Sequence, residues 1–314
     1  MSGSPAKKVP RHQSVTSPTD LQSLRVEEFL ATKALSLNSQ RAYRRELLTF
    51  LDWVKKPFAK IKSRHIVQYK VQLTEKLAPS SVNRALSAIS SFFDWLESAY
   101  GNPNPTLTIR QHKLPLPPAR DLTEAELEAL LTALEKRPSL TIIRDKAVFT
   151  ALRHGLRAGE VASLNLGDYD GIRLHIQVAK DDSSGHVPLD TAGREAINAY
   201  LKQRLQSGET FNPTAPLFLS HSPIPNAPRR FGYQGIYYFI KELGEMAGVA
   251  NLTPHRLRHT FATQLLLTGM EPLHARTLTR HKSEVSFKRY AKRALEAAAE
   301  RAFYQAIGEE PPKL

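Results

Sequence analysis

Five prolines fall within residues 101–121, GNPNPTLTIRQHKLPLPPARD. Neither a helix interior nor a central strand tolerates that density, because each proline removes a backbone N–H and fixes φ. The stretch divides the chain and reads as an extended interdomain linker. Enough sequence lies on either side for a unit with its own core, since 314 residues suit two domains better than one. Residues 1–20 are rich in Ser, Pro and Lys and offer almost nothing to bury, so a disordered tail is expected there. The folded parts are then 21–100 and 122–314.

Between 21 and 100 the apolar residues recur at three-and-four spacing. Leu24, Val26, Phe29 and Leu30 form one set, and Tyr43, Leu47, Phe50, Leu51 and Val54 a second. Ile66, Tyr69 and Leu73 make a third, and Val82, Leu86, Ile89, Phe93 and Leu96 a fourth, with Ser80 placed to cap it. A small bundle of four helices is expected. Asn83 and Arg84 on the fourth are candidates for contact with a nucleic-acid groove.

Charge separates the two parts. Residues 1–120 carry 19 Lys and Arg against 8 Asp and Glu, whereas 121–314 carry 25 against 22. The first part is suited to a polyanion, and double-stranded nucleic acid is the leading partner. An anionic membrane surface is the rival, but no terminal helix has a strongly apolar face to insert. No apolar run is long enough to span a bilayer, and the first thirty residues lack a signal-peptide core. A cytoplasmic, nucleoid-associated protein is expected. The absence of cysteine excludes disulfides, thiolate metal sites and a cysteine nucleophile.

The second part opens on Thr123-Glu-Ala-Glu126, a capping-box pattern. Helical segments follow to about Leu164. Arg173-Leu-His-Ile-Gln-Val-Ala and Gly185-His-Val-Pro-Leu then flank a polar turn as a β-hairpin. Helices are expected again over 191–206, 233–247, 255–269, 271–279 and 292–307. The fold class is thus mainly α with one small β-hairpin, in two domains.

Cationic groups gather in the last third. His255 and Arg258 stand three apart at a helix start opened by Pro254, where anions are favoured. His281 follows 23 residues after Arg258, and Tyr290 nine after His281, within Phe287-Lys-Arg-Tyr-Ala-Lys-Arg. Lys288, Arg289, Lys292 and Arg293 would depress the tyrosine's pKa and draw phosphate to it. Singly, His255 reads more readily as a helix-cap residue, Tyr290 as interfacial packing and the basic run as a solvated face. His255 and His259, four apart, could suggest zinc, but no Glu follows the first and Arg256 and Arg258 would repel a cation. No cofactor or metal is expected.

Order and spacing connect these residues. Ala151-Leu-Arg-His-Gly-Leu-Arg-Ala-Gly-Glu-Val-Ala-Ser-Leu resembles the first signature of the tyrosine recombinases, T-G-L-R-x-x-E-L, with Arg157 and Glu160 in the charged positions. Val178-Ala-Lys-Asp-Asp-Ser-Ser-Gly-His-Val-Pro-Leu resembles that family's hairpin, with Lys180 seven positions ahead of Val-Pro-Leu. His255-Arg-Leu-Arg258 resembles the H-x-x-R box, and His281 and Tyr290 the third-box histidine and the tyrosine nine residues beyond. Residues 21–100, with Ser39-Gln-Arg-Ala-Tyr and Asn83-Arg-Ala-Leu-Ser-Ala-Ile-Ser-Ser-Phe-Phe-Asp-Trp, resemble the core-binding domain of Xer-type recombinases and phage integrases. Two departures stand out. Arg280 replaces the glycine before the third-box histidine, so another cation is expected to face DNA, and Asp181-Asp182 makes the hairpin turn acidic.

The resemblance implies a two-domain clamp on duplex DNA and a site-specific recombinase whose Tyr290 forms a 3′-phosphotyrosyl bond. Arg157 and Arg258 would clamp the nonbridging oxygens, His255 assist proton removal from Tyr290 or hydrogen-bond the phosphate, His281 donate to a nonbridging oxygen, and Lys180 protonate the leaving 5′-oxygen. Glu160 would orient Arg157. Strand exchange would pass through a Holliday junction in a homotetramer on two sites, with accessory DNA-bending proteins as further partners and a C-terminal helix over 292–307 docking on a neighbour. The alternatives are a topoisomerase of type IB and a catalytically silent DNA-binding regulator on the same fold.

Overall fold

The computed structural model describes residues 18–115, 120–177, 184–221, 229–281 and 283–310. The chain separates into two compact units, Met1–Pro115 and Leu116–Leu314.

In the first unit, helices α1 (Pro18–Thr32), α2 (Leu37–Val54), α3 (Ser63–Lys76) and α4 (Pro79–Tyr100) pack around one core. Of the apolar positions expected to build it, Val26, Phe29, Leu47, Phe50, Ile66, Val82, Ile89 and Phe93 are all buried. Leu24 is not; it is exposed beside Leu21 on the outer side of α1. Phe29, Phe50, Phe92 and Phe93 meet edge to face at centroid distances of 5.1 to 6.3 Å with their aromatic neighbours, the geometry their ring quadrupoles favour. Ser36 caps α2 through the Ser39 amide. For α4 the expected cap at Ser80 is displaced: Pro79 occupies the first helical position behind Ala78, because its missing N–H and fixed φ suit the first turn. Gly101 ends α4 at φ 66°, the left-handed conformation in which a side chain is strained.

The proline-rich stretch does not begin as a free linker. Lys70 Nζ donates to the Arg110 carbonyl at 2.7 Å, and Gln111 Nε2 to Ser87 Oγ at 2.8 Å. The Asn83 amide both donates to the His112 carbonyl and accepts from the His112 amide, each at 2.8 Å. Thr106 is buried, and Ile109 packs on the helical core. Residues 104–112 are therefore strapped across α3 and α4, and Asn83 is committed to that strap rather than turned outward to a groove. Arg84 is half exposed, with a 3.4 Å contact to Glu46.

The second unit contains α5 (Glu124–Glu135), α6 (Ile142–Arg153), α7 (Ala158–Ser163), β1 (Arg173–Ile176), β2 (Gly185–Pro188), α8 (Thr191–Gln206), α9 (Tyr233–Met246), α10 (Pro254–Leu267), α11 (Pro272–Thr279) and α12 (Glu284–Ile307). Thr123 and Glu126 form the expected capping box, each side chain bonding the other's backbone amide. The hairpin is present with antiparallel register Arg173↔Pro188 to Ile176↔Gly185, and Leu174, Ile176 and Val187 face the core. Helix α6 is the central element and packs on α8 and α10. Its residues Ala147, Val148, Ala151 and Leu152 are inaccessible to solvent. Helix α12 begins eight residues before the expected 292 and packs on α10 through Phe287 and Tyr290. Among the described residues no helix is long and apolar enough to cross a membrane.

Candidate active site

The site is assembled where the α6–α7 turn, the start of α10, the end of α11 and the first half of α12 converge. Gly155 makes the first turn possible. Its φ is +82°, and a β-carbon there would lie 2.4 Å from the Phe261 ring, so only glycine fits. Its carbonyl accepts from Arg258 Nη1.

Arg157 precedes α7, and Glu160 sits three residues on, inside its first turn. The Glu160 carboxylate accepts from the Arg157 amide at 2.8 Å and from Arg157 Nη1 at 2.5 Å. Arg157 Nη2 reaches across to the Arg280 carbonyl at 3.4 Å.

Thr253 caps α10 through the Arg256 amide. His255 then lies in the exposed first turn, and Arg258 one turn later is fully buried. Its guanidinium donates to Gly155 and Thr279 carbonyls on opposite sides. Nε has no hydrogen-bond partner among the described residues. Burial, and next to it the charge of Arg157, lowers the Arg258 pKa to about 9, against the opposing pull of Glu160. Such a group gains from any anion that arrives.

Helix α11 ends in Arg280 at φ 52°, ψ 44°. This position was expected to add a cation facing DNA. Instead the side chain is 4% exposed and pairs with Glu160 at 2.7 Å. The left-handed turn directs it inward, onto the Glu160 carboxylate. Glu160 is consequently shared by two arginines. Burial would raise its pKa, but Arg280 and Arg157 together hold it below the ordinary carboxylate value.

His281 follows, with Nδ1 2.7 Å from the Thr279 hydroxyl. Burial first, then Arg258 and Arg157, drive its pKa down to about 3, so the ring is neutral at pH 7. Tyr290 is 1% exposed. Its ring lies 5.6 Å from that of His281, 5.3 Å edge-to-face from His259 and 5.5 Å from Phe287.

Lys288 and Lys292 do not surround the Tyr290 hydroxyl. Two residues before and after it, they lie about 200° around the helix, and they extend into solvent against Glu284 and Glu296. The side chains of Arg289 and Arg293 lie outside the described residues, as do Lys180, Asp181 and Asp182. Among the described side chains, the positive charge that acts on the tyrosine is that of Arg258 rather than of Lys288 or Lys292.

One residue of the site has no such role in the sequence reading. His259 reads there only as half of a zinc pair, yet it is buried between the His255 ring, at 4.5 Å, and Tyr290. Its i+4 spacing from His255 was the signal. No three metal-ligating side chains converge among the described residues.

The sequence model of the phage integrase family matches residues 120–296, and that of the phage integrase N-terminal SAM-like domain matches 26–99. The tyrosine recombinase XerC of Roseiflexus sp. (strain RS-1) is 30% identical over 275 residues, covering 82% of this chain and 85% of the relative. The tyrosine recombinase XerD of Vibrio cholerae serotype O1 is 31% identical over 261 residues, covering 78% and 84%. Among solved structures, the XerH site-specific recombinase bound to its difH substrate aligns with a TM-score of 0.69 at 16% identity, over 91% of this chain and 97% of that one. A lambda integrase dimer bound to a COC′ core site aligns at 0.66 and 17%, over 86% and 76%. With one family model spanning more than half its length and Xer relatives matched along most of it, the chain belongs to the phage integrase family and is a tyrosine-type site-specific recombinase.

Proposed function

We propose that the chain cleaves and rejoins duplex DNA through a covalent 3′-phosphotyrosyl bond to Tyr290, and exchanges strands between two sites through a Holliday junction. The observation that carries this reading is the packing of Tyr290 against His281 beside the buried guanidinium of Arg258.

Attack by the Tyr290 oxygen forms a P–O bond, breaks the bond to the 5′-oxygen and places added negative charge on the nonbridging oxygens. Arg258, already bonded to two carbonyls, and Arg157, held by Glu160, supply the opposing charge. Guanidinium forks suit two oxygens at once and do not deprotonate near neutral pH. His281, neutral in the DNA-free chain, is set to take the tyrosine proton, and a bound phosphate would raise its pKa and favour that transfer. His255 stands at the exposed edge to meet the phosphate. Lys180 completes the set as donor to the departing 5′-oxygen. The bond energy is retained in the phosphotyrosine, so the reverse attack by a 5′-hydroxyl of the partner duplex needs no external energy source.

Double-stranded DNA is the partner, favoured by the basic first unit, and four copies on two sites are the assembly that strand exchange requires. Leu295, Phe303 and Ile307 lie exposed along one side of α12 and suit docking on a neighbouring copy. Because Tyr290 is buried, α12 must shift when DNA engages.

The test is a nicked suicide duplex carrying the verified binding site. A covalent adduct formed by the wild type and absent from Tyr290→Phe supports the reading. Binding without an adduct would favour the catalytically silent regulator.

A further inference from the structure

Arg280 is the point at which this chain departs most from its family's third box, and it sits inside the site rather than at its rim. The backbone keeps the left-handed conformation that glycine adopts freely and an L side chain adopts at a cost. Placing a long cation there is costly twice over, once in backbone strain and once in desolvation. Both costs are tolerated in a residue whose Nε also lacks a hydrogen-bond partner among the described residues.

The side chain connects three parts of the site. Nη2 is 2.7 Å from Glu160 Oε2, the oxygen that also accepts from the Arg157 amide. Its carbonyl receives Arg157 Nη2. Its Cδ lies 3.4 Å from where a β-carbon of Gly185 would stand, so the stem runs over the start of β2, the strand that follows Lys180 in sequence. Nη1 is fixed by the Leu278 carbonyl at 3.0 Å.

We propose that Arg280 is a positioning residue for strand cleavage: by engaging Glu160, the carboxylate that also holds Arg157, it fixes the Arg157 fork and adds a positive charge behind it. This rests on the Tyr290 mechanism above. With Arg157 and Arg258 alone, the Glu160 carboxylate would cancel one of the two charges. With Arg280, three guanidiniums face one carboxylate among the described residues, an excess of two positive charges. A phosphodiester brings one negative charge and the pentacoordinate state two, so the balance is closest in the transition state, where added stabilisation accelerates the reaction. Arg280 contributes without touching DNA.

The experiment compares wild type, Arg280→Gly, Arg280→Lys, Glu160→Gln and the double variant Glu160→Gln/Arg280→Gly on the nicked suicide duplex, with DNA affinity and melting temperature measured alongside. Glycine relieves the backbone, so Arg280→Gly should fold and bind DNA as the wild type does. Its single-turnover cleavage should fall by roughly tenfold to a hundredfold, the scale of a misaligned reacting group. Arg280→Lys should recover part of the rate. For Arg280→Gly the acid limb of the rate profile should move to higher pH, because Glu160 loses one of the guanidiniums that hold its pKa down. The double variant should be no slower than the worse single one, since both changes break the same link. Wild-type cleavage by Arg280→Gly, or a loss matched by equal losses in affinity and melting temperature, would overturn the inference. A bound wild type that forms no Tyr290 adduct would instead overturn the mechanism, and this inference with it.

Discussion

The Thr279 hydroxyl donates to the Ala275 carbonyl at 2.8 Å and lies 2.7 Å from His281 Nδ1, so the imidazole is the donor in the second bond. The neutral ring therefore carries its proton on Nδ1 and leaves Nε2 as an acceptor. Its pKa of about 3 lies below the ordinary 6.5. An unfolded chain takes up that proton first as pH falls, so the contribution to stability is complete above about 6.5 and is lost progressively toward about 3. Denaturant midpoints between pH 7 and pH 4.5 should fall less steeply for His281→Asn than for the wild type. Parallel curves would contradict the neutral assignment.

Arg258 spans two carbonyls that lie on different elements, Gly155 after α6 and Thr279 at the end of α11. An ammonium cannot reproduce both bonds and still present a fork to phosphate. Arg258→Lys should lower cleavage by about a hundredfold or more, with DNA affinity much less affected. The check is single-turnover cleavage at saturating protein, and a rate within a few-fold of wild type would remove Arg258 from the clamp.

Asn83 and Arg84 are adjacent and should behave oppositely. Asn83→Ala breaks two bonds to the His112 backbone and should cost the first unit about 1–3 kcal/mol, with faster amide exchange over residues 104–112. The salt dependence of DNA binding should not change. Among the described residues Arg84 makes one weak contact, with Glu46 at 3.4 Å. Arg84→Ala should leave stability nearly unchanged and reduce the salt slope of binding by about one.

Leu295→Glu with Phe303→Glu places charge in the exposed stripe of α12. Single-site binding should survive, whereas assembly on two sites and Holliday-junction formation should be lost. Sedimentation with one-site and two-site duplexes separates these outcomes.

Much of this was legible in the sequence because helical periodicity is local. The fourth apolar set lies wholly inside, and the Thr123–Glu126 box formed as its spacing required. Pro79 outcompeted Ser80 for the start of α4 because a proline at the first helical position fixes the entry. The misplacement of Lys288 and Lys292 was itself readable, since residues two apart on a helix face away from each other. Arg280 was not. Its inward turn depends on Glu160, which lies 120 positions earlier in the chain. The Asn83 bonds were hidden for the same reason: their partner, His112, lies in a stretch whose prolines pointed to an unattached linker.

The burial of Tyr290 also sets a threshold on when the proposed chemistry can start. Its ring packs between His259, His281 and Phe287, and withdrawing an aromatic side chain of this kind costs about 1.5–3 kcal/mol. In the proposed mechanism a passing contact with non-target DNA would not return that energy and would leave the duplex unnicked. Only a site whose contacts outweigh the packing of one ring would then arm the nucleophile, so that fidelity would begin in the protein's own core before any base is read.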